Sequence, residues 1–341
     1  MKEASISSHS RGTARYERYA YCFCLLLAGI VALLGISSAQ QVASPGVQGE
    51  PYVINVNVNM VALHATVLDH KNVPVAGLSK ESFQVFEDGV PQQITQFSHE
   101  DIPVTVGLVV DNSGSMGNKR SHVIAAALAF ARSSNPQDQM FVVNFNERVS
   151  FALPPSAPFT DNVQQLEVAL STMRASGETA LYDAIAAALG QLGKGNRDKK
   201  VLIIISDGGD NASKLGLARV MTLAQQSTAV IYSIGIFDEH QAENNPGVLR
   251  KLAESTGGET FLPESLTDVG PICERIAHDI RSQYSLSYVP RNGEPDGKYR
   301  TIRVDASAPG RGRLRVRTRT GYLPPAPNSA SSAEAKRHDL R

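Results

Sequence analysis

The sequence predicts an α/β protein: a doubly wound, mostly parallel sheet, with flanking β-strands that form a split β-sandwich module. Three observations predict this. Four nearly unbroken apolar runs recur through the middle of the chain: VTVGLVV at 104–110, MFVVNF at 140–145, VLIII at 201–205 and AVIYSIGI at 229–236. Short runs without alternation read as strands covered on both faces. Helical stretches separate them, and strand alternating with helix is the pattern of a parallel sheet. On both sides of this region the pattern changes to period-2 alternation and turn dipeptides, which mark half-buried strands and hairpins.

Composition agrees with a folded chain. The 341 residues carry 33 Lys+Arg and 33 Asp+Glu, with 42% hydrophobic and 19% charged residues. A disordered chain has fewer apolar residues and more net charge. At roughly 150 residues per domain the length suggests about two domains. Zero net charge argues against nucleic-acid binding, which needs a basic field to displace phosphate counterions. Three cysteines cannot build a disulfide scaffold.

Taken in order, residues 1–39 have the layout of an export signal. Lys2, Arg11, Arg15 and Arg18 precede an uncharged stretch, residues 19–36, and Ser37-Ser38-Ala39 supplies small residues for cleavage after Ala39. The alternative is an uncleaved anchor, since 18 residues reach the lower limit of a spanning helix. Either way the chain is expected to be exported: periplasmic, in the cell envelope or secreted. Cleavage removes Cys22 and Cys24 and leaves Cys273 as the one thiol, a small apolar core residue by expectation.

Residues 40–51 read as a linker. Residues 52–100 read as the first part of a β module. Ile54, Val56, Val58 and Met60 alternate with asparagines, and Val61–Leu68 continues as strand. Phe83–Phe86 and Ile94–Phe97 flank Glu87-Asp88-Gly89, and the Asp-Gly step marks a hairpin. Residues 101–283 form the α/β domain, with helices expected at 120–132, 161–173, 180–192, 215–226, 248–255 and 267–282. Residues 284–322 complete the β module with strands at 284–289, 299–304 and 313–320. The Pro-, Ala- and Ser-rich residues 323–341 read as a loose tail. Two unrelated β extensions, or strands added to the edges of the α/β sheet, are the alternatives to a single split module.

The chemistry gathers where the buried strands end. Ligands of open α/β sheets bind beyond the carboxyl ends of the strands. There the first run passes into Asp111-Asn112-Ser113-Gly114-Ser115, and the third into Ser206-Asp207-Gly208-Gly209-Asp210. A polar loop, Ser176-Gly177-Glu178-Thr179, opens the third helix. Asp111, Ser113, Ser115, Thr179 and Asp207 are hard oxygen donors, suited to Mg²⁺, Mn²⁺ or Ca²⁺ and poorly suited to zinc or copper. Each alone also has an ordinary use, as a helix cap or turn residue. Glu178 and Asp210 are expected to support the rim without holding the metal, and Asp183 to bond within its helix or to a neighbouring loop.

These residues carry a resemblance. DNSGS at 111–115, Thr179 in SGETALYDA and Asp207 in SDGGD match, in order, the D-x-S-x-S, Thr, Asp pattern of the von Willebrand factor type A domain family. The resemblance spans about residues 101–283. The segments GLSKESFQVFEDGVPQQITQF at 77–97, YSLSYVP and GKYRTIRV look like secreted bacterial relatives of that family. The resemblance implies a metal-ion-dependent adhesion site. In it Ser113 and Ser115 ligate the ion directly, and Asp111, Thr179 and Asp207 complete the shell directly or through water. It implies an open coordination position for an Asp or Glu of a protein partner, with the last helix able to shift.

A second feature is Arg311, Arg313, Arg315, Arg317 and Arg319, which share one face if they lie on a strand. Five such groups form a candidate anion-binding face, for an anionic polymer or a lipid headgroup. The alternative is a solvated face paired with carboxylates. Against an enzyme, an aspartyl-phosphatase chemistry needs an acid two residues after Asp111, where Ser113 stands, and no G-x-S-x-G elbow or Ser/His/Asp set appears. The sequence therefore predicts a non-catalytic binding or adhesion protein. A periplasmic assembly scaffold using the same site is the alternative, with a metal-dependent hydrolase behind it.

Overall fold

The computed structural model describes residues 60–171, 174–237, 245–294 and 296–324. The export segment, the linker, most of the Ile54–Met60 strand pattern and nearly all of the tail lie outside these residues.

The central sheet has six strands in the order β10-β9-β8-β5-β6-β7: β5 Val104–Asp111, β6 Gln139–Phe145, β7 Val149–Phe151, β8 Lys199–Ser206, β9 Val230–Gly235 and β10 Thr260–Phe261. All neighbours are parallel except β6 and β7. Every residue of β5 is buried, because it lies in the middle of the sheet with helices on both faces. Val106, Leu108 and Val110 face one core and Val109 the other. Burial of each such side chain contributes on the order of 1.5–3 kcal/mol.

Six helices cover the sheet: α1 Arg120–Ser133, α2 Val163–Ser171, α3 Leu181–Leu192, α4 Leu217–Gln226, α5 Pro246–Thr256 and α6 Val269–Arg281. Helices α1, α2 and α6 pack on one face, and α3, α4 and α5 on the other. The ends of α5 show why it starts and stops. Asn245 Oδ1 accepts from Val248 N, Pro246 occupies the first turn, and Gly257 takes the left-handed conformation at φ 87°.

The remaining strands build two four-stranded antiparallel sheets from both flanks of the α/β segment. They are β1 Val61–Leu68, β2 Phe83–Glu87, β3 Val90–Gln92, β4 Ile94–Ser98, β11 Tyr284–Tyr288, β12 Arg300–Ala306, β13 Arg315–Arg317 and β14 Gly321–Tyr322. The sheet orders are β13-β1-β11-β4 and β14-β12-β2-β3. Leu63, Ala65 and Leu286 of the first sheet share a core with Phe83, Val85 and Val304 of the second.

Two expectations change in detail. The Asp88-Gly89 turn, with φ 48° and 78°, closes a hairpin between β2 and β3 rather than between β2 and β4. After Gln93 the chain crosses to the other sheet, where β4 pairs with β11. The arginine strand expected at 313–320 is also shorter. Gly310 and Gly312 hold left-handed backbone at φ 73° and 67°, so Arg311 and Arg313 lie before β13, and Arg319 lies after it. The arginines therefore do not share one strand face.

The α/β core and the sandwich meet at the amino ends of the central strands. Residues 99–103 lead from β4 into β5, and only Ser282 and Gln283 separate α6 from β11. The carboxyl ends of β5, β6, β8 and β9 lie level at the opposite pole, with Asp111 beside Phe145 and Ser206 beside Gly235.

Candidate metal centre

Three loops meet at that opposite pole. The first leaves β5 at Asp111. One of its carboxylate oxygens accepts Ser113 N at 2.8 Å, which turns the chain sharply back, and the other accepts Ser206 Oγ at 2.6 Å. Ser113 Oγ lies 3.0 Å from Ser115 Oγ, and Ser115 Oγ donates to Asp207 Oδ2 at 2.7 Å. Four of the five predicted donors, Asp111, Ser113, Ser115 and Asp207, are thus joined in one network.

Thr179 arrives on the second loop. Gly177 O accepts Gly114 N at 3.0 Å, which clamps this loop to the first. Gly177 has φ 81°, a left-handed backbone that favours glycine. Thr179 N donates to Asn211 Oδ1 at 2.8 Å, and Thr179 O accepts Asn211 N and Ala212 N, which ties this loop to the third. Gly208 of the third loop has φ 78°, and a Cβ there would come within 2.5 Å of Asn245 O.

Sequence reasoning passed over several supports. Asn112 Nδ2 bridges Val110 O and Asn144 Oδ1, and Arg120 reaches Asn112 Oδ1 at 3.3 Å. Asn144 Nδ2 in turn bonds Ala169 O. The signal for Asn144 is its place as the one polar residue in MFVVNF. Ser206, one residue before the Asp-Gly-Gly turn, is wholly buried and holds Asp111. Asp210 does not face the donors: its Oδ1 accepts Tyr182 N at 3.1 Å in the first turn of α3 and Ser213 Oγ at 2.5 Å. Asp183 binds the neighbouring loop through Lys214 N and Leu215 N.

The electrostatics set this site apart. Asp111 and Asp207 are both buried, and neither forms an ion pair with a described residue. Burial pushes the Asp111 carboxyl up to about 6, and the nearby Asp207 adds to the rise against the pull of its hydrogen bonds. Two carboxylates and the two hydroxyls of Ser113 and Ser115, joined with no internal cation, fit a hard divalent ion. No group of three or more His, Cys, Asp or Glu able to hold a metal occurs among the described residues, as expected when hydroxyls supply most of the donors.

The arginines behave differently from one another. Arg317 pairs with Glu259 and Asp279, while Arg319 is buried, its guanidinium bonded to Gly321 O and Gln225 O. Arg311, Arg313 and Arg315 are exposed. Cys273 is buried, and burial pushes its thiol up to about 12, which leaves it unreactive.

Comparison with known proteins agrees with this arrangement. Residues 106–209, which include Asp111, Ser113, Ser115, Thr179 and Asp207, match the von Willebrand factor type A domain family. This α/β core is a von Willebrand factor type A domain, a class typically engaged in protein–protein adhesion or binding. Inter-alpha-trypsin inhibitor heavy chain H4 of Bos taurus is 24% identical over 225 residues, or 60% of this chain and 25% of that protein. An uncharacterized protein of Synechocystis is 27% identical over 163 residues, or 46% of this chain and 37% of that protein. The chain thus spans about a quarter to just over a third of these relatives. Among solved structures, a von Willebrand factor type A protein from Catenulispora acidiphila is similar at TM-score 0.47 and 13% identity, over 81% of this chain and 76% of that one.

Proposed function

We propose that this chain is an exported, non-catalytic binding protein that holds a divalent cation, Mg²⁺ with Mn²⁺ or Ca²⁺ as substitutes, through Asp111, Ser113, Ser115, Thr179 and Asp207. The observation that carries this reading is the buried Asp111–Asp207 pair, joined by serine hydroxyls and left without an internal cation. A bound cation supplies a position at which a carboxylate oxygen from an Asp or Glu of a protein partner can be accepted. The residues around it prepare that position. Asp111 is held by Ser206, Asp207 by Gly209 N, and the serine loop by Gly177, so the donors are fixed before the ion arrives.

Binding rather than hydrolysis is favoured by the neighbours of the hydroxyls. Ser115 Oγ donates to a carboxylate, and the histidines that bond serines do so elsewhere, at Ser121, Ser282 and Ser285. A nucleophilic serine needs a base to take its proton. Residues 1–39 supply the basis for placing the protein outside the cytoplasm, and no helix among the described residues is long and apolar enough to cross a membrane.

The test is capture of partners from the native envelope by wild-type chain, in Mg²⁺ and in EDTA, beside Asp207→Ala. The proposal expects a protein retained only by wild type in Mg²⁺. Retention of the same protein in EDTA at full strength would overturn it.

A further inference from the structure

The sandwich carries a second charged feature that the metal centre leaves unused. Strands β1 and β13 are antiparallel, with Leu68 opposite Arg315. The turn that follows β1 and the turn that precedes β13 therefore lie at the same end of the pair. The second turn holds Pro309-Gly310-Arg311-Gly312-Arg313, and its two glycines have open space where a Cβ would stand. It projects into solvent. Arg311, Arg313 and Arg315 are exposed, and no described acid pairs with them. The first turn adds the exposed Lys71 and an exposed apolar residue, Val73, at 52% exposure. Its one carboxylate, Asp69, accepts Lys71 N at 2.8 Å and Val73 N at 2.9 Å, so this end of the sandwich sets four exposed basic side chains against one acid.

We propose that this end of the sandwich is a docking surface for an anionic lipid bilayer, with Arg311, Arg313, Arg315 and Lys71 meeting phosphate-bearing headgroups and Val73 entering the interface. The charge is complementary, and guanidinium forks match phosphate oxygens. The apolar residue decides between sources of negative charge. A phosphate polymer or an acidic peptide satisfies the arginines and leaves Val73 in water, whereas a bilayer surface takes both. A projecting turn also suits a flat surface better than a partner's side chain that needs a cleft. The neighbouring Arg317 and Arg319 do not take part, because acids and carbonyl groups inside the protein already hold them.

The experiment is sedimentation of the full chain with vesicles of phosphatidylcholine alone and of phosphatidylcholine with 30 mol% (about one lipid in three) phosphatidylglycerol. The quantity read is the ratio of the two partition coefficients, compared between wild type and variant so that the contribution of residues 1–39, with Lys2, Arg11, Arg15 and Arg18, is common to both. Each exposed basic residue near an anionic surface contributes about 5-fold, so Arg311→Gln/Arg313→Gln/Arg315→Gln should lower the ratio on the order of 100-fold. Val73→Ser should weaken binding to the anionic vesicles several-fold. Asp111→Ala should leave the ratio unchanged, which separates this surface from the metal centre. An unchanged ratio in the triple variant, with Mg²⁺ affinity retained as proof of folding, would overturn the proposal. So would equal binding of wild type to both vesicles, or capture by polyglutamate beads without preference for anionic vesicles.

Discussion

Each pole of the α/β domain gathers a pair of acids, both buried at one and only Asp279 buried at the other, and the two pairs are completed in opposite ways. At the sandwich pole, Asp279 of α6 receives Arg317 of β13, Thr66 Oγ1 at 3.1 Å and Tyr232 Oη at 2.5 Å, and the same arginine reaches Glu259. Every element of that junction brings a donor, and one brings the countercharge. At the metal pole, Asp111 and Asp207 receive hydroxyl and backbone N–H groups only. Hydrogen bonds ease the burial of a carboxylate, but they do not neutralise it. The difference teaches which acids are structural. The pair with an internal arginine holds two modules together, and the pair without one is the pair to which the proposed function assigns a cation from solution.

Removing the internal cation should have the largest effect. Arg317→Met leaves the buried Asp279 without its ion-pair partner, while Glu259 keeps Arg275, and should lower unfolding free energy by about 3–5 kcal/mol, equally in Mg²⁺ and in EDTA. Urea denaturation checks this; a loss under about 1 kcal/mol would break the contrast between the poles. Supplying the external cation should come next. Mg²⁺ at 100 times its Kd should stabilise wild type by about 2.7 kcal/mol and Asp207→Ala not at all, as read by thermal unfolding.

A pH effect belongs to the sandwich pole. Burial pushes the His64 imidazole down to about 3, with Lys199 and Arg319 adding to the fall. Between about 3 and the ordinary value of 6.5 the unfolded chain binds the proton and the folded chain does not. Stability contributed by neutral His64 is therefore present above pH 6.5 and is lost as pH falls toward 3, by at most about 1.4 kcal/mol per pH unit. His64→Asn should flatten that part of the acid unfolding curve. The smallest effect should come from Asp210→Ala, which removes the cap of α3 at about 1 kcal/mol and leaves Mg²⁺ affinity within a factor of a few. A large loss of metal affinity would place Asp210 among the ligands and blur the distinction drawn for the rim.

Much of this was legible in the residues. The unbroken runs at 104–110, 140–145, 201–205 and 229–236 became β5, β6, β8 and β9, because strands buried on both faces leave no polar alternation. The helices fell within a few residues of their expected ends. The strands β7, β10 and β14 were not legible, since two or three residues carry no period. The partner of β2 was misjudged because the Asp-Gly turn marks a hairpin without setting how long its return strand runs. The arginine repeat misled for another reason: side-chain spacing of two implies a shared face only where the backbone is extended, and Gly310 and Gly312 are not. At the rim, the positions of the five candidate donors could be read in order along the chain. Their joining by Ser206, Asn112, Gly177 and Asn211 depends on contacts between separate loops, which no local pattern shows.

Calorimetric titration of Mg²⁺ into wild type and Asp111→Ala, with circular dichroism to show that both are folded, tests the central claim most directly. Wild type should bind one ion and the folded variant none. Equal affinity in the two proteins would contradict the assignment of Asp111, Ser113, Ser115, Thr179 and Asp207 as a metal centre.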